Sequence, residues 1–493
     1  MVSPHPHTPA GARAAYNSGS NSDFDPSESA DQGDDQPSYI ANNEALEEIV
    51  PDDEDQPMDD LSDDEAEASS TAYRGQGAGE SIEIDLINDS TLHFDAHTDS
   101  IYSIAANPRL AGIIATGGGD DVAFIWSTDA SDETPSGRER SSQTPIFKLE
   151  GHEESVTSVA FTASGEFLVS GSMNGKIIVT RCLDATKPKE PNSWKKIAEV
   201  QETEEIGWMT THPTENIFAL GAADGSVWVY TIDKDAPAGS ELVIKQVFYN
   251  HTGSSTGGTF ARNGELLATV SETSELFVHS VESGEVVVRF GPEDARFNVE
   301  GGLYAVAANP AGTVVVVGGA TGECKVVALP TAGTQRGAGA RRGGSATAGT
   351  QNAQILATLS TQSESIETLA FSLSVPLLAA GSVDKTIVLY DTQRWTVRKT
   401  IQGHEDSVVK VQWGDGAQGQ WMLTSCSMDR TVRRWDCRTG EEKFKWQGHV
   451  DGVLGFVVDS RGRVITAGDD NVALVFEERT ATAPVVGSAS GQP

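Results

Sequence analysis

The strongest constraint on this chain is a repeat. Past residue 80 it cycles through one pattern: a loop with His or an acid, a β run, a Gly- or Ser-rich strand, a turn carrying Asp, and a β run ending in an aromatic. The clearest copy runs from Gly403-His404 through Thr424-Ser425 and Asp429 to Trp435-Asp436. Another runs from His97 through Thr116 and Asp120 to Trp126. Aligned on the last β run, eight copies end at Trp126, Thr180, Tyr230, His279, Ala328, Tyr390, Trp435 and Phe476, at intervals of 54, 50, 49, 49, 62, 45 and 41 residues. About 40–45 residues make one small four-stranded sheet, with the excess going into loops. One such sheet cannot bury its faces alone, so the units must stack.

The turn Asp sits six residues before the aromatic in Asp120–Trp126, Asp224–Tyr230, Asp384–Tyr390, Asp429–Trp435 and Asp470–Phe476; Asn174 replaces it before Thr180. A loop His can bond through a strand Ser or Thr toward this Asp, which anchors its tight turn by accepting backbone N–H groups. These His–Asp pairs are therefore structural rather than catalytic. The pattern resembles the WD40 repeat family over about residues 82–476. The resemblance implies an all-β, eight-bladed β-propeller over residues 81–478. Copies one, two, seven and eight follow it best, three and six well, and four and five are degenerate. A seven-bladed ring would require copy four or five to be something else. The last copy lacks a clear outer strand of its own. Ile82, Ile84 and Leu86 alternate with Glu83 and Asp85, and this segment is expected to supply that strand and close the ring.

Charge divides the chain differently. The formal net charge is -37. Residues 1–80 hold 20 acidic and two basic residues, Arg13 and Arg74. Such a block repels itself and buries too little apolar surface to order, so a disordered acidic N-terminal arm is expected. Residues 479–493 read as a disordered tail. Residues 331–350, with Arg336, Arg341 and Arg342 among Gly and Ala, read as a flexible insertion between copies five and six. Acidity on this scale excludes a generic nucleic-acid binder and an anionic membrane surface, and favours a basic protein partner. Four widely spaced cysteines without a CxxC pair, no long apolar run and no signal-peptide start place the chain in the cytoplasm or nucleus.

No P-loop or HExxH motif is present, and no metal-ligand spacing. Gly117-Gly118-Gly119-Asp120 leads into a strand, not the helix a phosphate loop requires. No enzymatic activity, cofactor or metal is expected. What remains is a surface. Two residues after the loop His or its equivalent lie Asp99, Glu154, Glu204, Glu364, Asp406 and Asp451, in six copies of eight. WD40 repeats often carry Asp there, so acids outside the pattern are more telling. Glu153, Glu205 and Glu405 adjoin the ring, Glu300 marks the fifth copy, and Asp121 and Asp469 adjoin the turn acids. Together they predict a focused negative potential around one mouth of the ring, suited to a Lys/Arg-rich peptide. Trp208, Tyr102 and Tyr304 lie near the same strand starts. Core packing is the first expectation for each, and stacking on Arg the alternative.

A narrower resemblance rests on His93-Phe94-Asp95-Ala96-His97-Thr98-Asp99-Ser100, Ala106-Asn107-Pro108, and the run from Thr116 through Asp120-Asp121 to Trp126. It continues at Trp208-Met209, His212-Pro213, Ala222–Trp228 and Gly381–Asp384. These are similar to the angio-associated migratory cell protein family, whose fungal members are ribosome-assembly factors. The resemblance implies a dedicated chaperone that holds the basic N-terminal segment of a newly made large-subunit ribosomal protein on an acidic propeller face, for 60S subunit assembly. It implies a monomer with no need of nucleic acid or membrane. A general scaffold in signalling or ubiquitin ligation is the alternative.

Overall fold

The computed structural model describes residues 87–129, 141–237, 239–330, 353–414 and 419–478. The expected acidic arm, the Gly/Arg insertion and the C-terminal tail lie outside them. The described residues form eight antiparallel sheets arranged as blades. The inner strands are Ile101–Ala106, Val156–Phe161, Ile206–Thr211, Ser255–Ala261, Leu303–Ala308, Ile366–Phe371, Val408–Trp413 and Val453–Val458. Each touches its neighbour's inner strand, and the last touches the first. The ring is therefore a closed, all-β eight-bladed β-propeller.

The second strands explain how the blades stack. Ile113–Gly118, Phe167–Ser172, Ile217–Ala222, Leu266–Ser271 and Leu377–Ser382 are buried at every position. A strand covered on both faces must be small or apolar throughout, which is why these runs combine Ile, Leu and Val with Gly, Ala, Ser and Thr. Degenerate blade five comes close to this with Val314–Gly319, buried at every position but the first.

Closure differs from the expectation. Residues 82–86 lie outside the described chain, and the outer strand of blade eight is Leu92–Phe94. It pairs antiparallel with Ala473–Phe476, in the register Leu92↔Val475 and Phe94↔Ala473. Phe94 is the reason for this choice. It is fully buried and stacks on Trp126 at 4.8 Å. It joins one apolar cluster with Ile101, Ile114, Ile465 and Val475 from blades one and eight. Polar Ser141–Ser142 adds a fifth strand, parallel to Leu92–Phe94, which nothing in its composition announced.

Candidate functional site: an acidic propeller face

The face is built by two sets of connections. One leads from each blade's outer strand to the next inner strand; the other joins the second and third strands. A single hydrogen bond repeats between them in every blade. The first turn residue donates its N–H to the carbonyl just before the inner strand: Gly119 to Ser100, Met173 to Ser155, Ala223 to Glu205, Glu272 to Ser254, Ala320 to Gly302, Val383 to Ser365, Met428 to Ser407 and Asp469 to Gly452. The two sets are thereby fastened into one surface.

Beneath the surface lie the His–Asp pairs. In blade seven His404 Nδ1 bonds Asp429 at 2.8 Å and Nε2 bonds Ser425 Oγ at 2.7 Å, while Trp435 Nε1 donates to the same Oγ at 2.8 Å. The order differs from the expected His–Ser–Asp chain. The imidazole sits in the middle because its two nitrogens point opposite ways. Blades one and eight repeat this with His97, Asp120 and Thr116, and with His449, Asp470 and Thr466. Burial alone would raise the Asp429 carboxyl. The hydrogen bond and charge of His404, with Thr431 and the Glu405 N–H, outweigh it and hold Asp429 well below the usual carboxylate range.

The weaker repeats improvise. In blade four Glu275 stands in for the turn Asp. It takes the Thr252 N–H at 2.8 Å and lies 3.5 Å from His251 Nδ1. Burial pushes its carboxyl up, but His251 and these donors bring it down to about 2. In blade six Gln362 replaces His, donating to the Ala380 and Thr386 carbonyls. In blade two Asn174 caps its turn but does not reach His152. Burial, with Lys176 and Lys196 nearby, lowers His152 to about 4.

All the expected site acids lie on this face. Asp99, Glu154, Glu204, Glu364, Asp406 and Asp451 are exposed, each two residues before its inner strand. Asp99 and Asp406 are pinned by the next residue's N–H, at 2.7 and 2.8 Å. Glu205, Glu300 and Glu405 are exposed on the same loops, and Asp121 is half-buried on the blade-one turn. Asp469 accepts Ser100 Oγ at 2.6 Å, bridging blade eight to blade one. Glu153 differs. It lies 3.1 Å from Lys176, which also holds Glu199, so part of its charge is already balanced.

The channel rim is a second ring that the loops alone did not reveal. In all eight blades the pairing register shifts between the first and third inner-strand residues, leaving the second residue as a bulge. The bulged residues are Tyr102, Thr157, Gly207, Thr256, Tyr304, Glu367, Val409 and Leu454. Tyr102 and Tyr304 are 44% and 40% exposed, against the expectation of core packing. Trp208, one position further on, is in the core and donates to Ser255 Oγ at 3.0 Å. Glu367 is an exposed acid that the sequence reading missed. Its equivalence to Tyr102 and Tyr304 in the repeat was the available signal. Glu272, also missed, is exposed on the blade-four turn, where it accepts the Ser254 N–H at 3.0 Å.

Left-handed backbone marks the third turn residue of every blade. Gly175, Gly225 and Gly322 hold it in three, with φ of 82°, 82° and 77°. Asp121, Ser274, Lys385, Arg430 and Asn471 adopt it in the others, with φ from 59° to 72°. The conformation costs a residue with a Cβ about 1–2 kcal/mol. Among the described residues, no group of three or more His, Cys, Asp or Glu side chains is arranged to hold a metal ion.

A closed ring of repeated four-stranded blades with His–Asp pairs under one face defines a WD40 propeller. The family model described as WD domain, G-beta repeat matches residues 88–127, 143–180, 353–391 and 395–436. The chain belongs to the family of the ribosome assembly protein SQT1. It is 32% identical to that protein of Saccharomyces cerevisiae over 425 residues, 81% of this chain and 89% of the relative. It is 26% identical to human angio-associated migratory cell protein over 394 residues, 79% of this chain and 80% of that one. A crystal structure of Chaetomium thermophilum Sqt1 bound to the N-terminus of the ribosomal protein L10 is 40% identical. It covers 79% of this chain and 100% of its own, with a TM-score of 0.68.

Proposed function

We propose that this protein is a non-enzymatic chaperone that captures the basic N-terminal segment of a newly made large-subunit ribosomal protein on its acidic face and delivers it for 60S subunit assembly. One observation carries the proposal. Six equivalent acids surround the channel mouth, and Glu154, Glu204, Glu364 and Asp451 have no side-chain partner among the described residues. A Lys/Arg-rich segment laid over them gains charge-assisted hydrogen bonds that the free protein cannot make internally. The field also speeds encounter. The complex of the Chaetomium relative with the N-terminus of L10 supports a ribosomal protein as the client. The contact residues are Asp99, Glu154, Glu204, Glu364, Asp406 and Asp451, with Asp121, Glu153, Glu205, Glu300, Glu405 and Asp469 around them. Capture of a nascent chain places the protein in the cytoplasm, with the nucleus as a second site.

Selective ribosome profiling of the tagged protein tests this. Enrichment on ribosomes translating one basic large-subunit protein, beginning soon after its N-terminus emerges, is the expected result. Enrichment spread over unrelated chains would instead favour a general scaffold.

A further inference from the structure

The channel rim is not uniform. In blade order its bulged residues are Tyr102, Thr157, Gly207, Thr256, Tyr304, Glu367, Val409 and Leu454. Glu367 is the charged member of this set, and it follows one of the two tyrosines. Thr157 and Thr256 turn their hydroxyls to the Ile206 and Leu303 carbonyls of the next blade, so they offer little to a ligand. Glu367 is exposed and makes no hydrogen bond or ion pair among the described residues. Tyr304 is exposed too, and its ring meets no aromatic ring or cation among them.

Packing sets these two side by side. The inner strands of blades five and six touch. Ala305, the residue after Tyr304, and Ile366, the residue before Glu367, belong to one buried cluster with Val316 and Cys324. Ile366 presses on blade five so closely that a Cβ on Gly318 would come within 2.6 Å of its Cγ2. From blade four, Thr256 Oγ1 donates to the Leu303 carbonyl and pins the peptide that leads into Tyr304. The loop before this strand is nearly bare. It runs Glu300-Gly301-Gly302, with φ of 82° and 90° at the two glycines, and a Cβ on Gly302 would run into the Glu272 carbonyl. The turn beside it is Ala320-Thr321-Gly322. Blade five lacks the loop His of the repeat, and that departure leaves the Tyr304 ring uncovered.

Resting on the basic-peptide proposal above, we infer that Tyr304 and Glu367 form a subsite for one arginine side chain of the bound segment. The guanidinium stacks on the Tyr304 ring and gives two N–H groups to the Glu367 carboxylate. Glu300 and Glu364, exposed on the loops that enter the same two strands, keep the surroundings negative. A planar fork stacks and pairs at once, which a lysine ammonium cannot do. The subsite therefore makes the face choose Arg over Lys, a distinction that long-range attraction does not draw. Tyr102 has Leu454 and Thr157 as its rim neighbours, so it lacks the adjoining carboxylate and provides the comparison.

The test is fluorescence anisotropy on the full chain at about 0.15 M salt. The probes are two labelled peptides of equal length and charge, one alternating Arg with Gly and the other Lys with Gly. Wild type should bind the Arg peptide more tightly. Y304A should reduce that preference about two- to fivefold, the effect of losing a cation–π contact. E367Q should weaken both peptides, the Arg peptide more. Y304F keeps the ring and should keep the preference, while Y102A should weaken both peptides alike. All four variants change exposed side chains and should melt as wild type does. Equal binding of the two peptides by wild type, an unchanged preference in Y304A, or an equal loss of preference in Y102A would overturn the subsite and leave the basic-peptide proposal standing. Failure of both peptides to bind wild type would overturn that proposal and the subsite with it.

Discussion

Reversing Glu154, Glu364 and Asp406 to Lys separates binding from folding. Glu154 and Glu364 make no side-chain bond among the described residues, and the Asp406 carboxylate accepts only from its neighbour Ser407, whose N–H lies at 2.8 Å. Exposed surface substitutions of this kind change stability by about 0.5 kcal/mol or less, so the melting transition should stay cooperative and nearly unmoved. Binding should respond much more. Each exposed ion pair contributes about 0.2–1 kcal/mol, and reversal replaces attraction with comparable repulsion. Three sites then sum to about 1.2–6 kcal/mol, or a loss of about 8-fold to more than 10⁴-fold. Anisotropy titrations with a basic ribosomal-protein peptide measure this. The loss should shrink at 1 M salt, where the Debye length is about 3 Å against about 8 Å at physiological ionic strength. An affinity within threefold of wild type at low salt, in a normally folded variant, would refute the claim that this face holds the client.

Ser425→Ala strips one partner from both His404 and Trp435. At about 1–3 kcal/mol for each buried group left unpaired, chemical denaturation should show a loss of about 2–6 kcal/mol. Acidification should destabilise the ring before carboxylates titrate. Burial lowers His152 to about 4 and His279 to about 3, so both stay neutral when folded and protonate when unfolded. Stability is therefore fully present above the ordinary His value near pH 6.5 and falls as pH drops toward 4, read as melting temperature against pH; a flat profile there would contradict it. Below that range the depressed carboxyls of Asp120, Asp429 and Asp470 add a further loss, since their contribution is present above the ordinary Asp value and disappears as they protonate. Removing residues 1–80 should leave the melting temperature unchanged and shift mainly the association rate with a basic peptide. Removing residues 1–95 takes Leu92 and Phe94 as well, and at about 1.5–3 kcal/mol per buried side chain should destabilise visibly.

The ring was legible because its physics repeats. The eight endpoints recur within the third strands, and the turn acids Asp120, Asp429 and Asp470 took their places under the face. Legibility failed where a different atom does the same job. Glu275 reaches His251 with a longer side chain from a shifted position, so a search at fixed spacing passes it by. Alternation alone points to Ile82–Leu86 as the closing strand. Burial of Phe94 against Trp126 decides it instead, and that is a contact between residues whose pairing no local pattern encodes. Glu367 was hidden because a bulge re-aims a strand residue toward the rim, and bulges leave little trace in hydrophobic alternation. The loop acids were readable because loop position alone determines the face they occupy.

The closing strand also sets a timetable for the protein's own birth. Thr91 Oγ1 donates to the Val475 carbonyl across a separation of 384 residues. Leu92–Phe94 therefore lacks its antiparallel neighbour until Ala473–Phe476, the last described strand, has been made. Until then Leu92 and Phe94 have no blade to join, and the inner strands of blades one and eight lack their mutual contact. The seam between blades one and eight is thus the last part of the ring that can form as the chain is made.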